Sequence, residues 1–370
     1  MEKIANYQLF SLMYLYQVGT TIIFGFTGEA GRDAWITVLI SMSVGFIIVF
    51  GNMLLMRLNP GLTLVEWYPK QFGKWLGVPI AWLYALLFIY NCGRMIADLK
   101  LMIPQTLLPT THPMIFLSLF TLLIAYGLYL GIEVVGRLAV LSLLIILILF
   151  MLETGLIFIS GNYDFRFILP IAEEGIVALW RYVWPAGITQ SFGEIFVFGM
   201  VWPLVKDQKS IAKVAFLSTL LTGLLLSFGN FLAIISLGPI VFERSFFPLY
   251  VLLRQINLGV FLQNLDVLAV IYFMFTIFFK VFITMFAVIR SIQILTFMKS
   301  SRKLIIPISI LVLFVGYTMT DNQAEHIAGV HMTIATPYLW VPFYLILPSL
   351  LLIVTMIRAM ITKRKTTLNS

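Results

Sequence analysis

The sequence predicts an all-α polytopic membrane protein in which ten transmembrane helices form two five-helix halves of opposite orientation. Hydrophobic residues make up 61% of the 370 positions and charged residues 11%, against about 25% charged residues in soluble domains. Ten apolar segments approach or exceed the length that crosses a bilayer, which is about 20 residues. One pattern, G-x-T-x-x-F-G, interrupts the first and the sixth segment, at 19–25 and 187–193.

The predicted spans follow one another with few long connections. They cover 7–26, 34–56, 79–103, 113–132, 137–160, 184–204, 211–238, 264–296, 304–319 and 337–359. A polar connection at 57–78 precedes the third span, and a longer link at 161–183 separates the halves. In 245–263 the apolar residues share one helical face, which predicts an outer helix lying flat over the bundle.

We expect one transmembrane domain over 1–370, with the first repeat in 1–160, the second in 161–363 and a polar tail at 364–370. The first residues run directly into the first span, so we expect a retained helix and not a signal peptide. If the N-terminus is cytoplasmic, fifteen Lys and Arg residues in the connections and tails lie inside and five outside. The positive-inside rule then places both termini in the cytoplasm.

The two glycine stretches predict breaks in their helices. A glycine weakens a helix by about 1 kcal/mol relative to alanine, and hydroxyl or amide side chains offer the backbone other hydrogen-bond partners. Spans broken at matching places in two halves indicate a binding site between them. The alternative is that these small residues only let helices pack closely.

Free N–H groups at such a break favour a carboxylate, and free carbonyls favour a cation. The predicted ligand-binding residues are Gly19, Thr20, Thr21, Phe24, Gly25, Gly187, Thr189, Gln190, Ser191, Phe192, Gly193 and Glu194. Phe24 and Phe192 are the candidate pocket walls, although aromatic residues in spans are more often ordinary packing.

Ionisable residues inside spans are costly and point to function. Lys280 lies near the middle of the eighth span, and Glu194 directly follows the second glycine stretch. In an inverted-repeat fold the eighth span packs beside the break in the first, so we expect Lys280 there, paired with Glu194 or Asp98. The alternative for Lys280 is snorkelling to an interface. Arg94 and Asp98, four residues apart, can neutralise each other locally.

Several classes of function are excluded or disfavoured. The net charge of +8 comes from basic residues at span ends and is not a nucleic-acid signal. The single cysteine, Cys92, gives neither a disulfide framework nor a cysteine metal site. We predict solvated outer loops for His112, His326 and His331, in preference to a metal site. No nucleophile motif or phosphate-binding loop is present, so we expect no enzyme activity and no cofactor.

Four stretches of the chain resemble the B subunits of bacterial spore germinant receptors, the germination permeases of the amino acid–polyamine–organocation superfamily. They are I-A-N-Y-Q-L-F-S-L-M at 4–13, V-G-T-T-I-I-F-G at 18–25, L-V-E-W-Y-P-K-Q-F-G-K-W-L-G at 64–77 and F-G-E-I-F-V-F at 192–198. The resemblance implies a LeuT-like fold in the inner membrane of a spore. It also implies a small germinant, often an amino acid, in a central pocket, and receptor A and C subunits as partners. By the same resemblance, Tyr90, Asp98, Thr276 and Lys280 line an ion or water pathway.

Two interpretations of function remain beside each other. The first is a germinant-sensing, permease-like receptor subunit. The second is a secondary amino-acid transporter driven by protons or sodium. A scaffold that only anchors partner subunits is a third class, but it leaves the glycine stretches unexplained.

Overall fold

The computed structural model describes residues 3–255 and 265–368. At 328–331 and 362–368 it describes the backbone and not the side chains. Within those ranges the chain is helical and contains no strand, apart from an isolated parallel bridge between Ile4 and Val205. The predicted all-α class is therefore confirmed for the described residues.

The first half of the chain contains six α-helices. They are α1 (Asn6–Val18), α2 (Thr21–Phe24), α3 (Ala34–Leu58), α4 (Leu64–Thr106), α5 (Pro113–Leu130) and α6 (Ile132–Ser160), with a 3-10 segment at Gly28–Asp33 before α3. A capping box begins α4, because Thr63 N donates to Glu66 Oε2 at 2.8 Å. The helix then kinks at Gly73, which has a φ of 79°.

The second half is less regular. A 3-10 segment lies at Phe165–Ile168, α7 is the short helix Trp180–Tyr182, and the sixth predicted span consists of Val183–Gly187, Gly193–Met200 and Trp202–Leu204 in π and 3-10 conformations. The remaining α-helices are α8 (Ile211–Leu237), α9 (Pro239–Arg244), α10 (Pro248–Gln255), α11 (Asp266–Leu295), α12 (Arg302–Thr318) and α13 (Leu347–Leu368). A π-helical stretch, Glu325–Ile346, precedes α13.

Seven helical stretches in the described ranges are long and apolar enough to cross a membrane, which supports a polytopic membrane protein. They are Gly28–Leu58, Leu64–Thr106, Pro113–Leu130, Ile132–Ser160, Gln208–Leu237, Asp266–Leu295 and Glu325–Ile361. The other three predicted spans form shorter pieces: the first and sixth are broken, and α12 has 17 residues.

The two broken segments lie side by side and run antiparallel. Ile4 N donates to Leu204 O, and Lys206 N donates to Ile4 O, both at 3.0 Å. Farther along, the rings of Tyr16 and Phe198 have centroids 5.3 Å apart. The hydroxyls of Thr21 and Ser191 are hydrogen-bonded at 2.8 Å. Later residues of one segment therefore meet earlier residues of the other.

Three predicted boundaries differ from the structure. Helix α4 starts at Leu64, inside the predicted polar connection, because Thr63 caps it. The tenth helical stretch begins at Glu325 and not at 337, and its π-helical part contains Pro337 and Pro342. The predicted outer helix at 245–263 appears as α10, which buries Leu249, Leu252 and Leu253; residues 256–263 fall outside the described ranges.

Candidate functional site

A cavity of about 90 Å³ lies where the two broken segments meet α4 and α11. Eight residues singled out from the sequence line it: Thr20, Thr21, Phe24, Gly25, Asp98, Gln190, Glu194 and Lys280. Phe26, Arg94, Ile327 and Met332 complete the lining. The cavity thus draws residues from both glycine stretches and from two helices that carry buried charges.

Five ionisable side chains form one continuous buried chain beside the cavity. Lys280 Nζ lies 2.6 Å from Glu194 Oε2, and Glu194 Oε1 lies 3.9 Å from Arg94 Nη2. Arg94 Nη1 lies 3.2 Å from Asp98 Oδ2, and Asp98 Oδ1 lies 2.8 Å from His326 Nε2. None of these side chains is more than 6% exposed, so they neutralise one another without help from bulk water.

Lys280 lies against the break in the first segment. A Cβ at Gly19 would overlap Lys280 Cδ, and the φ of Gly19 is 39°, so this position accepts glycine for two reasons. One turn before Lys280, Thr276 Oγ1 donates to Gly19 O at 2.7 Å. The Lys280 ammonium also lies 5.5 Å from the ring centroid of Tyr16. Lys280 is therefore a buried, paired cation and does not snorkel.

A layer of polar and aromatic side chains supports Arg94 from behind. The guanidinium carbon lies 5.3 Å from the ring centroid of Trp340. Trp340 Nε1 donates to Asn91 Oδ1 at 3.2 Å, and Asn91 Nδ2 donates to the Tyr344 hydroxyl at 2.6 Å. These contacts fix Arg94 between the two carboxylates, where sequence reasoning had considered only its local pair with Asp98.

His326 was missed as a site residue. The sequence predicted a solvated outer loop for it, and that prediction is wrong, because the side chain is 1% exposed and hydrogen-bonded to Asp98. The error follows from the late start predicted for the tenth span. His112 is exposed and caps α5, as expected for a connection, and the side chain of His331 lies outside the described residues. In the described part of the chain no cluster of His, Cys, Asp and Glu has a geometry that would hold a metal ion.

The other predicted residues serve the packing around the cavity. A Cβ at Gly187 would lie 2.7 Å from Ser41 Oγ, and one at Gly193 would lie 3.3 Å from Tyr344 Cβ. Thr189 Oγ1 donates to Pro185 O at 3.0 Å, Ser191 bonds to Thr21, and Thr276 bonds to Gly19. Phe192 lies in a separate apolar cluster with Phe26, Val38, Met42 and Leu226. Tyr90 packs, half-buried, against the main core.

The two glycine stretches are therefore not equivalent in structure. Both glycines of the first, Gly19 and Gly25, have positive φ values, at 39° and 65°. Neither glycine of the second does, and there the absence of a side chain allows close approach. A shared sequence pattern thus meets two different physical needs.

Comparison with known proteins identifies the family of this chain. A family model described as "Spore germination protein" matches residues 3–324. The chain belongs to the spore germination protein family. It is also similar to spore germination protein KB of Bacillus subtilis (strain 168), with 27% identity over 228 residues. That alignment covers 61% of this chain and 61% of the relative. The resemblance seen in the sequence is confirmed, and the family is one of germination permeases, not of enzymes.

Proposed function

We propose that the chain is the germinant-sensing, permease-like subunit of a spore germination receptor, and that a small zwitterionic germinant such as an amino acid binds in the central cavity. The observation that supports this proposal most directly is the cavity, which is lined by both broken segments and by the side chains of Lys280 and Glu194. Membership of the spore germination protein family supports the biological setting. Receptor A and C subunits are the proposed partners, and the spore inner membrane the proposed location.

The charge balance around the cavity favours a zwitterion. Arg94 and Lys280 supply two cations, and Asp98 and Glu194 supply two carboxylates, all buried. A ligand with a single net charge would leave one buried charge in the site unpaired, which is strongly destabilising. An amino acid brings one charge of each sign, so its carboxylate can approach Lys280 or Arg94 while its ammonium approaches Glu194 or Asp98.

The volume of the cavity favours a small ligand. It measures about 90 Å³, whereas sites for drug-sized ligands have about 300–1,000 Å³. A short amino acid is the proposed class, and a bulky side chain requires the cavity to widen.

The proposed architecture is a LeuT-like 5+5 inverted repeat. Its support is the antiparallel contact of the two broken segments, from Tyr16 with Phe198 to Thr21 with Ser191. If the first and sixth segments and α12 also span the membrane, the seven long stretches become ten. An even number of spans agrees with both termini on the cytoplasmic side.

The binding proposal is tested by a change at the cavity wall that preserves shape. Thr20→Val removes a hydroxyl that lines the cavity. One lost hydrogen bond is worth about 0.5–1.5 kcal/mol, so we expect the germinant concentration for half-maximal germination to rise roughly two- to tenfold. Thr154→Val is the control, because Thr154 Oγ1 bonds only within its own helix, to Phe150 O. An unchanged dose response for Thr20→Val, across a panel of amino acids, would contradict a germinant site in this cavity.

A proton- or sodium-coupled amino-acid transporter is the second candidate, favoured by the buried Lys280 side chain, which lies against the break in the first segment. Uptake by the purified chain in proteoliposomes separates the two functions. Saturable accumulation that needs an ion gradient would identify a transporter, whereas binding without accumulation is the result expected of a sensor.

A further inference from the structure

A cavity with a cationic lining lies at the end of the bundle where Ile4 pairs with Val205. It has a volume of about 590 Å³, and its lining includes Lys3, Arg57, Lys206 and Lys209. Among the described residues no acidic side chain lines it. Positive charges that share a cavity repel one another, so the cavity favours an anionic ligand.

These four basic side chains are exposed and have no ion-pair partner in the described part of the chain. The neighbouring carboxylate of Asp207 is already engaged, since it accepts from Ser210 Oγ at 2.5 Å and from Asn6 Nδ2 at 3.2 Å. The Ser210 hydroxyl holds the pKa of Asp207 below its usual range. Asp207 therefore caps the turn before α8 and does not line the cavity, whose described lining carries four cations and no carboxylate.

Apolar side chains of α3 and α8 continue from the lining of this cavity along the two helices, which pack against each other. On α3, Phe46 and Phe50 lie eleven and seven residues before Arg57, and on α8 Phe216 and Leu220 lie four and eight residues after Ala212, which lines the cavity. Such spacings keep residues on one helical face. The rings of Phe46 and Phe216 pack together, with centroids 5.7 Å apart, whereas Phe50, one turn after Phe46 on α3, is 62% exposed.

We propose that this cationic cavity and the exposed apolar surface of α3 and α8 beside it form a binding site for an anionic phospholipid. The phosphate headgroup occupies the cavity among Lys3, Arg57, Lys206 and Lys209, and an acyl chain lies against the exposed side chains of Phe50 and Leu220. The cavity is at the end of the bundle that the charge asymmetry assigns to the cytoplasm. Basic pockets between helices on that side suit acidic headgroups. The lipid contacts the start of the first broken segment and the end of the second, so it braces the two segments where they join.

The test is a lipid titration of the purified full-length chain, followed by native mass spectrometry. We expect dioleoyl phosphatidylglycerol to bind at least tenfold more tightly than dioleoyl phosphatidylcholine. The triple variant Arg57→Gln, Lys206→Gln, Lys209→Gln should lose at least tenfold in affinity for the anionic lipid, because each basic residue near a membrane surface contributes attraction.

The matched control is the triple variant Lys70→Gln, Lys74→Gln, Lys303→Gln, which removes three exposed charges elsewhere on the predicted cytoplasmic side. It should keep its affinity within twofold of the unchanged chain. Equal losses in the two triple variants, or no preference for phosphatidylglycerol, would overturn the proposal.

A second arm distinguishes a lipid from a soluble anion. Inorganic phosphate and glycerol phosphate, which lack acyl chains, should compete only weakly with the lipid. If either binds as tightly as the lipid, the site takes a free phosphate and the lipid assignment is wrong. Retention of an acidic partner subunit by the unchanged chain, lost in the first triple variant while lipid affinity stays the same, would likewise replace a lipid with a protein segment. Both triple variants alter exposed side chains only, and a common elution volume in size-exclusion chromatography verifies their folding.

Discussion

Lys280 and Glu194 show how a single contact organises the centre of this molecule. Their charged atoms lie 2.6 Å apart, and both side chains are at most 3% exposed. Removing two charges from water costs several kcal/mol per ion, and only close pairing offsets it. Neither residue is therefore expected to tolerate loss of the other.

Glu194→Gln removes one partner of this buried pair and leaves the Lys280 ammonium without its nearest countercharge. We expect the free energy of unfolding to fall by about 3–5 kcal/mol, as when other buried pairs are broken. Thermal or denaturant unfolding of the purified chain in detergent measures the loss. The double variant Glu194→Gln, Lys280→Met should recover much of it, and no recovery would mean that the two side chains are not coupled.

Gly19→Ala should be more damaging than an ordinary glycine substitution in the same fold. The added Cβ overlaps the Lys280 side chain and lies 2.8 Å from Tyr16 O, at a φ of 39°. Backbone strain of this kind costs about 1–3 kcal/mol, so the unfolding midpoint should fall clearly. Gly155→Ala is the control, because it has no heavy atom within 4 Å of the new methyl group. Equal midpoints for the two variants would contradict this account.

The residue types of the site could be predicted from the sequence, but their connections could not. Charged residues in the middle of a span are rare, so Lys280, Glu194 and Asp98 could be recognised from the sequence. Glu194 was one of the two partners expected for Lys280. His326 did not stand out, because it lies 228 positions from Asp98 and just outside the apolar stretch used to mark its helix. Contacts across such separations depend on helix packing, which no local pattern encodes.

At the level of single helices, Lys100 of α4 binds the C-terminal end of α12. Its Nζ donates to Tyr317 O at 2.7 Å, to Thr320 O at 2.8 Å, and to the carboxylate of Asp321. The last carbonyls of a helix lack partners within the helix, and a cation there also suits the helix dipole. Lys100, which belongs to α4, therefore supplies a hydrogen-bond donor for the last carbonyls of α12.

Lys100→Met should loosen that end without unfolding the bundle. Hydrogen bonds from a charged donor are worth about 1.5–3 kcal/mol, so we expect backbone amide exchange over 315–322 to speed up at least tenfold. Hydrogen–deuterium exchange with mass spectrometry locates the effect. Lys213→Met, at an exposed position of α8, should leave the exchange there unchanged. Equal exchange in both variants would show that Lys100 does not hold this end.

The start of α4 has a local signal in the sequence, which the prediction from hydropathy did not use. Thr63 and Glu66 are a capping-box pair in the sequence, and they begin α4 inside what hydropathy alone marks as a connection. No comparable signal marks Glu325. There the chain remains helical through Pro337 and Pro342 by adopting wider π turns, a response to packing that hydropathy cannot report.

At the scale of the whole molecule, charge asymmetry predicts the orientation in the membrane, and this orientation can be measured. In a Cys92→Ser background, Val177→Cys should react with a membrane-impermeant maleimide on intact protoplasts. Trp75→Cys should react only after permeabilisation. Both positions are open in the structure, with exposures of 89% and 97%, so access depends on the side of the membrane. Labelling of Trp75→Cys in intact protoplasts would reverse the proposed topology.

The overall plan was predictable because it depends on composition and repetition. Hydropathy marked every helical stretch that is long enough to cross a membrane, and the repeated glycine pattern marked both broken segments. That these segments run antiparallel in contact was an inference from span counting. In the structure, this antiparallel arrangement is seen in the contacts of Tyr16 with Phe198 and of Thr21 with Ser191.

The backbone pairing of Ile4 with Leu204 and Lys206 has a mechanical consequence. Two hydrogen bonds, each 3.0 Å long, join the start of one broken segment to the end of the other, so the segments cannot separate there without breaking both. If one half of the molecule rocks against the other, we expect this joint to be the pivot. The greatest displacement then falls at the far end, where Gly25 abuts Pro248 of α10, and we expect a ligand to enter the cavity from that side.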